Sequence, residues 1–241
     1  MGGAINPALG GRNPAKGANG SPGRLSSHTL KQSSEPTSPS SARFFVLDGV
    51  DGCGKSTQAR RLVAHLEGLG RRVEHLREPG GTTEGELLRE LLLDRDSDLS
   101  PGVEALLFCA ARRQLLEKRI GPCLEAGTDV VCERFHPSTF AYQVFAWGLP
   151  EDELLNMLHT WAGSPEPHLT MILELPVTLA VERRGAATDR FEDRGAEFQE
   201  RVALGMKRYV ELCPRTTVGV DADGDEDQVA ARVAEAVQNV F

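Results

Sequence analysis

The sequence predicts an α/β fold in which helices sandwich a five-stranded parallel sheet. From residue 43 onward, short apolar runs alternate with amphipathic helical segments, as expected when strands are buried on both faces of a sheet. A glycine-rich segment follows the first apolar run directly and precedes the first helix. The 241-residue chain has no internal repeat and is long enough for a domain with a sizeable core.

The individual elements follow in order from the hydrophobic pattern. The predicted strands span residues 44–47, 72–76, 129–133, 169–175 and 216–220. The helix after the first strand places Leu62, Leu66 and Leu69 on one face and ends at Gly70. Further helices are predicted over residues 84–93 and 226–240.

A long helix precedes the third strand. It opens at Ser100-Pro101, a cap residue followed by proline in the first turn, and it closes at Gly127. We expect one side of this helix to pack against the core. The residues predicted to form that buried face are Val103, Leu107, Leu115, Leu116, Ile120 and Leu124.

The first 42 residues differ in composition from the rest of the chain. They contain eight Ser, seven Gly and five Pro, too little apolar surface to offset the entropy of ordering. We therefore predict a disordered extension, residues 1–42, before one domain, residues 43–241. The extension carries a net charge of +3, and subtracting it from −8 leaves −11 for the domain. Because the extension is basic and Ser-rich, organellar import stays open as a secondary alternative to a cytoplasmic location.

Composition excludes several classes of protein. Aromatic residues are only 5% and the net charge is −8, which argues against a nucleic-acid-binding protein. No apolar run approaches the ~18 residues of a membrane span, so we expect no membrane association. The five cysteines show no zinc-ligand spacing, and their scattered positions favour reduced thiols inside a cell.

The strongest functional signal is the segment from Gly49 to Ser56, which matches the pattern G-x-x-x-x-G-K-[ST]. In such a loop the backbone N–H groups surround phosphate oxygens, and the following helix contributes the positive end of its dipole. Lys55 is expected to reach the β- and γ-phosphates, and the Ser56 hydroxyl to coordinate Mg²⁺. We interpret Cys53 as a small residue tolerated in the loop rather than as a redox-sensitive thiol. The predicted ATP-binding residues of the loop are Gly49, Val50, Asp51, Gly52, Cys53, Gly54, Lys55, Ser56 and Thr57.

Several further segments resemble the thymidylate kinase family, in the order in which that family carries them. They are LDGVDGCGKST at 47–57, REPGG at 77–81, LFCAAR at 107–112, ERF at 133–135 with STFAYQ at 138–143, and DRFE at 189–192. The resemblance covers essentially all of residues 43–241. It implies the nucleoside monophosphate kinase fold with a short lid, Mg²⁺-dependent transfer of a phosphoryl group from ATP to dTMP giving dTDP and ADP, and a homodimer.

The resemblance also implies which residues bind the thymine base. Phe108 matches the ring that stacks on the base, and Arg112, one helical turn later, matches the arginine that donates to a base carbonyl. Thr139 and Gln143 match positions that hydrogen-bond the base, and Tyr142 matches a ring that packs under C2′. Without the other motifs, these residues would be interpreted as helix packing and, for Arg112, as a solvated charge.

Charged residues around the acceptor phosphate follow from the same resemblance. Arg89 and Arg134 match arginines that hold the dTMP phosphate, and Arg134 stands at the carboxyl end of a strand, where ligands gather in α/β sheets. Asp51 matches a loop carboxylate near the sugar 3′-hydroxyl. Glu78, in REPGG, completes the predicted dTMP site. A helix-surface arginine and a structural ion pair are the alternatives for Arg89 and Arg134.

Three arginines flank the short segment 185–188, which we interpret as the lid over ATP. Arg183 is predicted to bind ATP, whereas Arg184 and Arg190 are predicted to act in catalysis with Lys55 and Arg134. No basic residue occupies the variable positions of the phosphate loop, so neutralising the transferred phosphoryl group falls to the lid. A solvated basic turn is the alternative.

Ser56 and Glu133 are the predicted Mg²⁺ ligands. Glu133 and Glu174 depart from the family, which commonly has Asp at both positions, and the extra methylene moves a carboxylate by about 1.5 Å. Two alternatives stay open: another nucleoside monophosphate or deoxynucleoside kinase on the same scaffold and, because of the two glutamates, a nucleotide-binding module without catalysis.

Overall fold

Five parallel strands form one sheet in the computed structural model, which describes residues 41–185, 191, 194–238 and 240. The strands are β1 (Phe44–Asp48), β2 (Val73–Arg77), β3 (Asp129–Glu133), β4 (Leu169–Glu174) and β5 (Thr217–Asp221). Their order across the sheet is β2-β3-β1-β4-β5, and every neighbouring pair is parallel. The predicted sheet is confirmed, with β3 at the predicted bounds and β2 and β5 each one residue later than predicted.

Helices connect the strands and cover both faces of the sheet. They are α1 (Lys55–Gly68), α2 (Thr83–Leu93), α3 (Pro101–Leu115), α4 (Gly121–Glu125), α5 (His136–Thr139), α6 (Glu151–Ala162), α7 (Val177–Arg184), α8 (Gly195–Leu212) and α9 (Glu226–Gln238). Two π-helical segments extend α3 and α5, at Leu116–Ile120 and Phe140–Ala146 respectively. Within the part of the chain that the structure describes, no helix is long and apolar enough to cross a membrane.

The side chains of β1 alternate between two apolar clusters, one on each face of the sheet. Phe45 and Leu47 pack in a cluster that includes α1 and α9, whereas Phe44 and Val46 pack in a cluster that includes α3 and α6. All four side chains are fully buried. This double burial explains why β1 is continuously apolar and ends at its first charged residue, Asp48.

The predicted buried faces of two helices are wrong in part. Val103 on α3 and Leu69 after α1 are 43% and 62% exposed. The buried side of α3 instead includes the charged residues Glu104 and Arg112. A prediction from hydrophobic pattern assigns charged residues to the solvent side. The predicted buried face of α3 was therefore turned around the helix axis relative to the observed one.

The π-helical segment Phe140–Ala146 lies directly against α8 at a glycine. A Cβ atom on Gly205 would lie 2.7 Å from the Cα atom of Ala141 and 3.0 Å from the Cβ atom of Phe145. The absence of a side chain therefore lets the two backbones approach closely. The same segment carries Tyr142 and Gln143, so this contact sets the position of two predicted site residues.

We predict that Gly205→Ala destabilises the protein by ~1–3 kcal/mol, because the new methyl group overpacks the contact between α8 and the segment 140–146. Gly68→Ala is the matched control, since it also adds a methyl group to a helical glycine but meets no atom within 4 Å. We expect the control to be neutral or stabilising by up to ~1 kcal/mol. Urea denaturation measures both, and equal effects of the two substitutions would contradict the packing argument.

Candidate active site

A cleft of about 790 Å³ lies at the carboxyl ends of β1 and β3. This edge is where ligands bind in open α/β sheets. Its lining residues come from the phosphate loop and α1, from the REPGG segment and α2, from the end of β3, and from α7 and the segment before α9. A smaller pocket, which includes Phe108, Arg112, Thr139, Tyr142 and Gln143, shares Asp51, Glu78 and Arg134 with the cleft.

The glycine-rich segment 49–54 forms a tight loop around the amino group of Lys55. Lys55 Nζ donates to the carbonyl oxygens of Gly49 and Val50 at 3.1 and 2.8 Å, and it lies 3.6 Å from Asp51 Oδ1. Gly54 takes φ = 98° and is the N-cap of α1, whose first turn contains no acidic residue. The start of α1 therefore offers N–H groups and a positive dipole end to an anion, with no carboxylate of its own in that turn.

Two further loop residues face the protein interior. The thiol of Cys53 is buried, and burial raises its pKa although Lys55 opposes the shift. The thiol therefore stays protonated, which agrees with its interpretation as a tolerated small residue. Gly52 lies under α7, where a Cβ atom would meet the Ala180 carbonyl oxygen at 1.9 Å, so the loop and α7 are in direct contact.

The last turn of α7 places its two arginines differently. Arg183 lines the cleft and donates to the carbonyl oxygens of Ala222 and Gly224 at 3.0 and 3.2 Å. Arg184 lies beside Gly52 and close enough to Asp51 to lower the pKa of that carboxylate. Its Nε and Nη1 are buried and have no hydrogen-bond partner in the described structure. Arg184 thus carries free donors next to the phosphate loop.

Ser56 and Glu133, the predicted metal ligands, both line the cleft and are in contact with each other. The Ser56 hydroxyl donates to Glu133 Oε2, and Glu133 Oε1 lies 3.0 Å from His75 Nε2. Burial alone raises the pKa of Glu133, but the hydrogen bonds from His75 and Ser56 hold it below its ordinary value. Glu174, the other glutamate singled out from the sequence, is exposed and lines a groove behind the phosphate loop.

Asp51 joins the phosphate loop to the smaller pocket. Its carboxylate accepts from Arg134 Nη2 through Oδ1 and from the Tyr142 hydroxyl through Oδ2, the latter at 2.8 Å. Burial raises the pKa of Asp51, but Arg134, Lys55 and the Tyr142 hydroxyl together hold it below its usual range. Burial and the Asp51 charge raise the pKa of Tyr142 well above its ordinary value, so the phenol stays protonated and donates.

Arg134 holds this junction in an unusual backbone conformation. Among the described residues other than glycine, it alone has a positive φ, 68°. The turn directs its guanidinium to Ser138 Oγ at 2.8 Å as well as to Asp51. Arg134 therefore lies between the phosphate loop and the smaller pocket and lines both cavities.

Arg112 and Glu78 form an almost fully buried ion pair in the wall of the smaller pocket. Nε and Nη2 of Arg112 lie 2.7 and 2.6 Å from Glu78 Oε2, and Nη2 also donates to Thr139 Oγ1 at 3.1 Å. Nη1 of Arg112 and Oε1 of Glu78 are buried and have no partner in the described structure. Since a buried donor without a partner is costly, the free Nη1 marks a place for an acceptor atom of a ligand.

The remaining walls of the smaller pocket are aromatic and amide side chains. Phe108 is half-buried, with its ring centroid 6.0 Å from that of Phe191. Gln143 donates through Nε2 to the fully buried Glu104 at 3.1 Å, which leaves its Oε1 without a partner. The pocket therefore combines a flat apolar side with a few fixed polar groups, as small-molecule sites generally do.

A family model described as thymidylate kinase matches residues 47–233. A thymidylate kinase from a Synechococcus strain is 40% identical over 195 residues, which cover 81% of this chain and 94% of its own length. One from Dinoroseobacter shibae is 42% identical over 195 residues, covering 79% and 94% respectively. The crystal structure of thymidylate kinase from Ehrlichia chaffeensis matches with a TM-score of 0.67 at 27% identity, over 82% of this chain and 98% of that one.

This chain belongs to the thymidylate kinase family. It is an ATP-dependent phosphotransferase that phosphorylates dTMP to dTDP. The fold that the sequence predicted for this family is therefore confirmed.

The predicted site residues of this thymidylate kinase family member lie together around the cleft and the smaller pocket, with three qualifications. Gly49 and Val50 line the groove behind the loop and not the cleft. Their carbonyl oxygens accept hydrogen bonds from Lys55. Arg184 is not part of the cleft lining. Arg190 and residues 186–188 of the predicted lid lie outside the described residues.

Sequence reasoning missed three polar residues of the site. They are Asp48, which accepts from the backbone of Phe135 and Ser138; Glu104, which holds Gln143; and His75, which contacts Glu133. The position of Asp48 directly after an apolar strand was a usable signal. For Glu104 and His75 the sequence gave none, because their partners lie 39 and 58 residues away.

The buried Glu78 carboxyl leads to a pH-dependent prediction. Burial raises its pKa from an ordinary 4.5 to about 7, although Arg112 opposes the shift. Between these pH values the folded protein keeps a proton that the unfolded chain has lost, so the contribution of Glu78 to stability falls as the pH rises. We expect the free energy of unfolding, relative to Glu78→Gln, to decrease by ~3 kcal/mol across this window and to level off above it.

Urea denaturation at a series of pH values measures this difference. Glu117→Gln is the control, because Glu117 also pairs with an arginine on the same helical stretch but is 48% exposed. A difference between wild type and Glu78→Gln that is independent of pH would contradict the assignment.

Proposed function

We propose that the cleft binds ATP with its phosphates on the loop 49–56, and that the smaller pocket binds dTMP with its phosphate at Arg134. The observation that supports this division most directly is the Asp51–Arg134–Tyr142 network, which connects the two cavities. Arg89 also lines the cleft and donates to the Pro79 carbonyl oxygen at 2.8 Å, which directs it toward the same junction. In phosphoryl transfer the protein mainly aligns the two anions and neutralises their charge, and convergent cations serve this purpose.

Base recognition is proposed to depend on the free Nη1 of Arg112. A guanidinium can only donate hydrogen bonds, so it can donate to a thymine carbonyl oxygen but not pair with the amino group that cytosine carries in the same place, which is also a donor. Phe108 provides the stacking surface for the base. Thr139 and Gln143 complete the polar contacts to the base, and Tyr142 packs against the sugar. This arrangement favours dTMP over the acceptors of the alternative nucleoside monophosphate kinases.

Mg²⁺ is proposed as the cofactor, held by Ser56 and Glu133 together with phosphate oxygens of ATP. The donor set fits, because Mg²⁺ prefers hard oxygen ligands and usually keeps waters and substrate phosphates in its coordination shell. The described residues contain no group of three or more His, Cys, Asp or Glu side chains that could hold a metal by themselves. When bound, Mg²⁺ would neutralise charge on the phosphates, and Lys55 would do the same from the loop.

Arg184 is proposed to neutralise negative charge on the transferred phosphoryl group. Arg190 is proposed to do the same, on the basis of the sequence alone. The unpartnered donors of Arg184 beside Gly52 support its role, because the loop holds the phosphates at that point. Arg183 is proposed to bind ATP, since it lines the far end of the cleft.

A homodimer and a cytoplasmic location are also proposed. Apolar side chains on α2 and α3, two helices that pack together, are largely exposed: Leu87 is 63% exposed, Leu91 45%, Val103 43% and Leu106 60%. Exposed apolar surface of this kind favours a partner subunit. All five cysteines are free thiols, which suits a reducing compartment.

Replacement of Arg112 by Lys tests the base site. Lysine keeps a cation beside Glu78 but lacks the planar fork that presents Nη1, so we expect kcat/KM for dTMP to fall ~10- to 1000-fold while ATP affinity stays within about threefold. A coupled ADP-release assay with dTMP, dUMP and dCMP measures the effect. Arg113→Lys is the matched control, because Arg113 is the next residue of α3 and is 48% exposed. Equal kcat/KM values in the two variants would remove Arg112 from the site.

Replacement of Arg184 by Ala tests catalysis by the last turn of α7. We expect kcat to fall ~100-fold or more with KM for either substrate changed only a few-fold, because a contact to the transferred phosphoryl group strengthens in the transition state. Arg183→Ala, one residue away, is expected to raise KM for ATP instead. Steady-state kinetics distinguish the two patterns, and an Arg184 variant with unchanged kcat would assign that side chain to packing against the loop.

A further inference from the structure

His75 contacts the proposed metal ligand Glu133 from the neighbouring strand. In the parallel pairing of β2 with β3, Arg77 is the register partner of Glu133, and His75 precedes Arg77 by two residues. Side chains two apart on a strand share a face, so His75 lies on the side of the sheet toward which Glu133 points. Its Nε2 is 3.0 Å from Glu133 Oε1.

Both carboxylate oxygens of Glu133 are therefore engaged, each by a different part of the fold. Oε1 is held by His75 on β2, and Oε2 accepts the hydroxyl proton of Ser56 at the start of α1. The Glu133 side chain is 15% exposed and that of His75 31% exposed, so both are partly shielded from solvent. A serine hydroxyl has one proton and two lone pairs. Because that proton is directed at Glu133, the lone pairs of Ser56 remain available to a cation.

We propose that His75 is a positioning residue that fixes Glu133, and through Glu133 the Ser56 hydroxyl, for binding of Mg²⁺. This inference rests on the proposed metal role of Ser56 and Glu133. The glutamate side chain has one more rotatable bond than an aspartate, so Glu133 needs an anchor beyond its own backbone. Groups that orient a metal ligand from behind typically contribute 10–100-fold to metal affinity or activity.

Calorimetric titration of the full chain with ADP, once with excess Mg²⁺ and once with EDTA, tests the inference without reference to turnover. The ratio of the two affinities gives the gain that Mg²⁺ provides. We expect His75→Ala to reduce this gain about tenfold and to leave the affinity measured in EDTA within about twofold. His75→Gln should restore the gain, because its Nε2 lies the same number of bonds from the backbone as Nε2 of histidine. His75→Asn, one bond shorter, should not restore it.

A double-mutant cycle with Glu133→Asp adds a second criterion. The shorter carboxylate does not reach His75, so His75→Ala should have little further effect in that background. Equal effects of His75→Ala in both backgrounds, or a loss of ADP affinity in EDTA, would overturn the inference and leave His75 with a structural role. If Glu133→Ala itself leaves the Mg²⁺ gain unchanged, the proposed metal role of Glu133 fails and the inference with it. The dTMP specificity measured with the Arg112 variants is independent of all these outcomes.

Discussion

The carboxylate of Asp48 is the contact on which both halves of the site depend. It is fully buried at the end of β1 and accepts hydrogen bonds from the backbone N–H groups of Gly49, Phe135 and Ser138 and from the Ser138 hydroxyl. One side chain thus joins the start of the phosphate loop, the turn after β3 and the beginning of α5. Because a buried carboxylate is costly when its oxygens lack partners, these hydrogen bonds hold the three segments in a fixed relation. The position of Arg134, between Phe135 and β3, follows from this constraint.

The cations of the site differ in whether they already have acceptors. Lys55 and Arg134 are engaged by loop carbonyl groups and by Asp51, so bound phosphates would have to compete with these internal contacts. Arg112 and Arg184 keep donors without partners in the described structure. The first pair binds to the loop itself, whereas the second pair has hydrogen-bonding capacity available for a ligand. Such fixed donors are useful in catalysis because they need little reorganisation when charge develops.

The sequence predicted the sheet well because continuous apolar runs such as β3 have few alternative interpretations. It predicted the buried side of α3 poorly, because Glu104 and Arg112 are charged yet buried. Their partners, Gln143 and Glu78, come from distant segments of the chain. The contact of His75 with Glu133 depends on β2 lying beside β3 in one register, which no local pattern encodes. The loop 49–56 was predictable from spacing alone, since its chemistry requires glycines and a lysine at fixed positions. The role of Arg190 stays a prediction from sequence.

The positive φ of Arg134 has a consequence for how this enzyme can change over evolutionary time. A non-glycine residue in the left-handed region costs on the order of 1–3 kcal/mol, so glycine would relieve the turn that Arg134 occupies. Replacement of Arg134 by glycine would therefore raise stability but remove the guanidinium. Arginine persists there only while selection for phosphate handling outweighs the conformational penalty, and a descendant freed from that selection would be expected to lose it early.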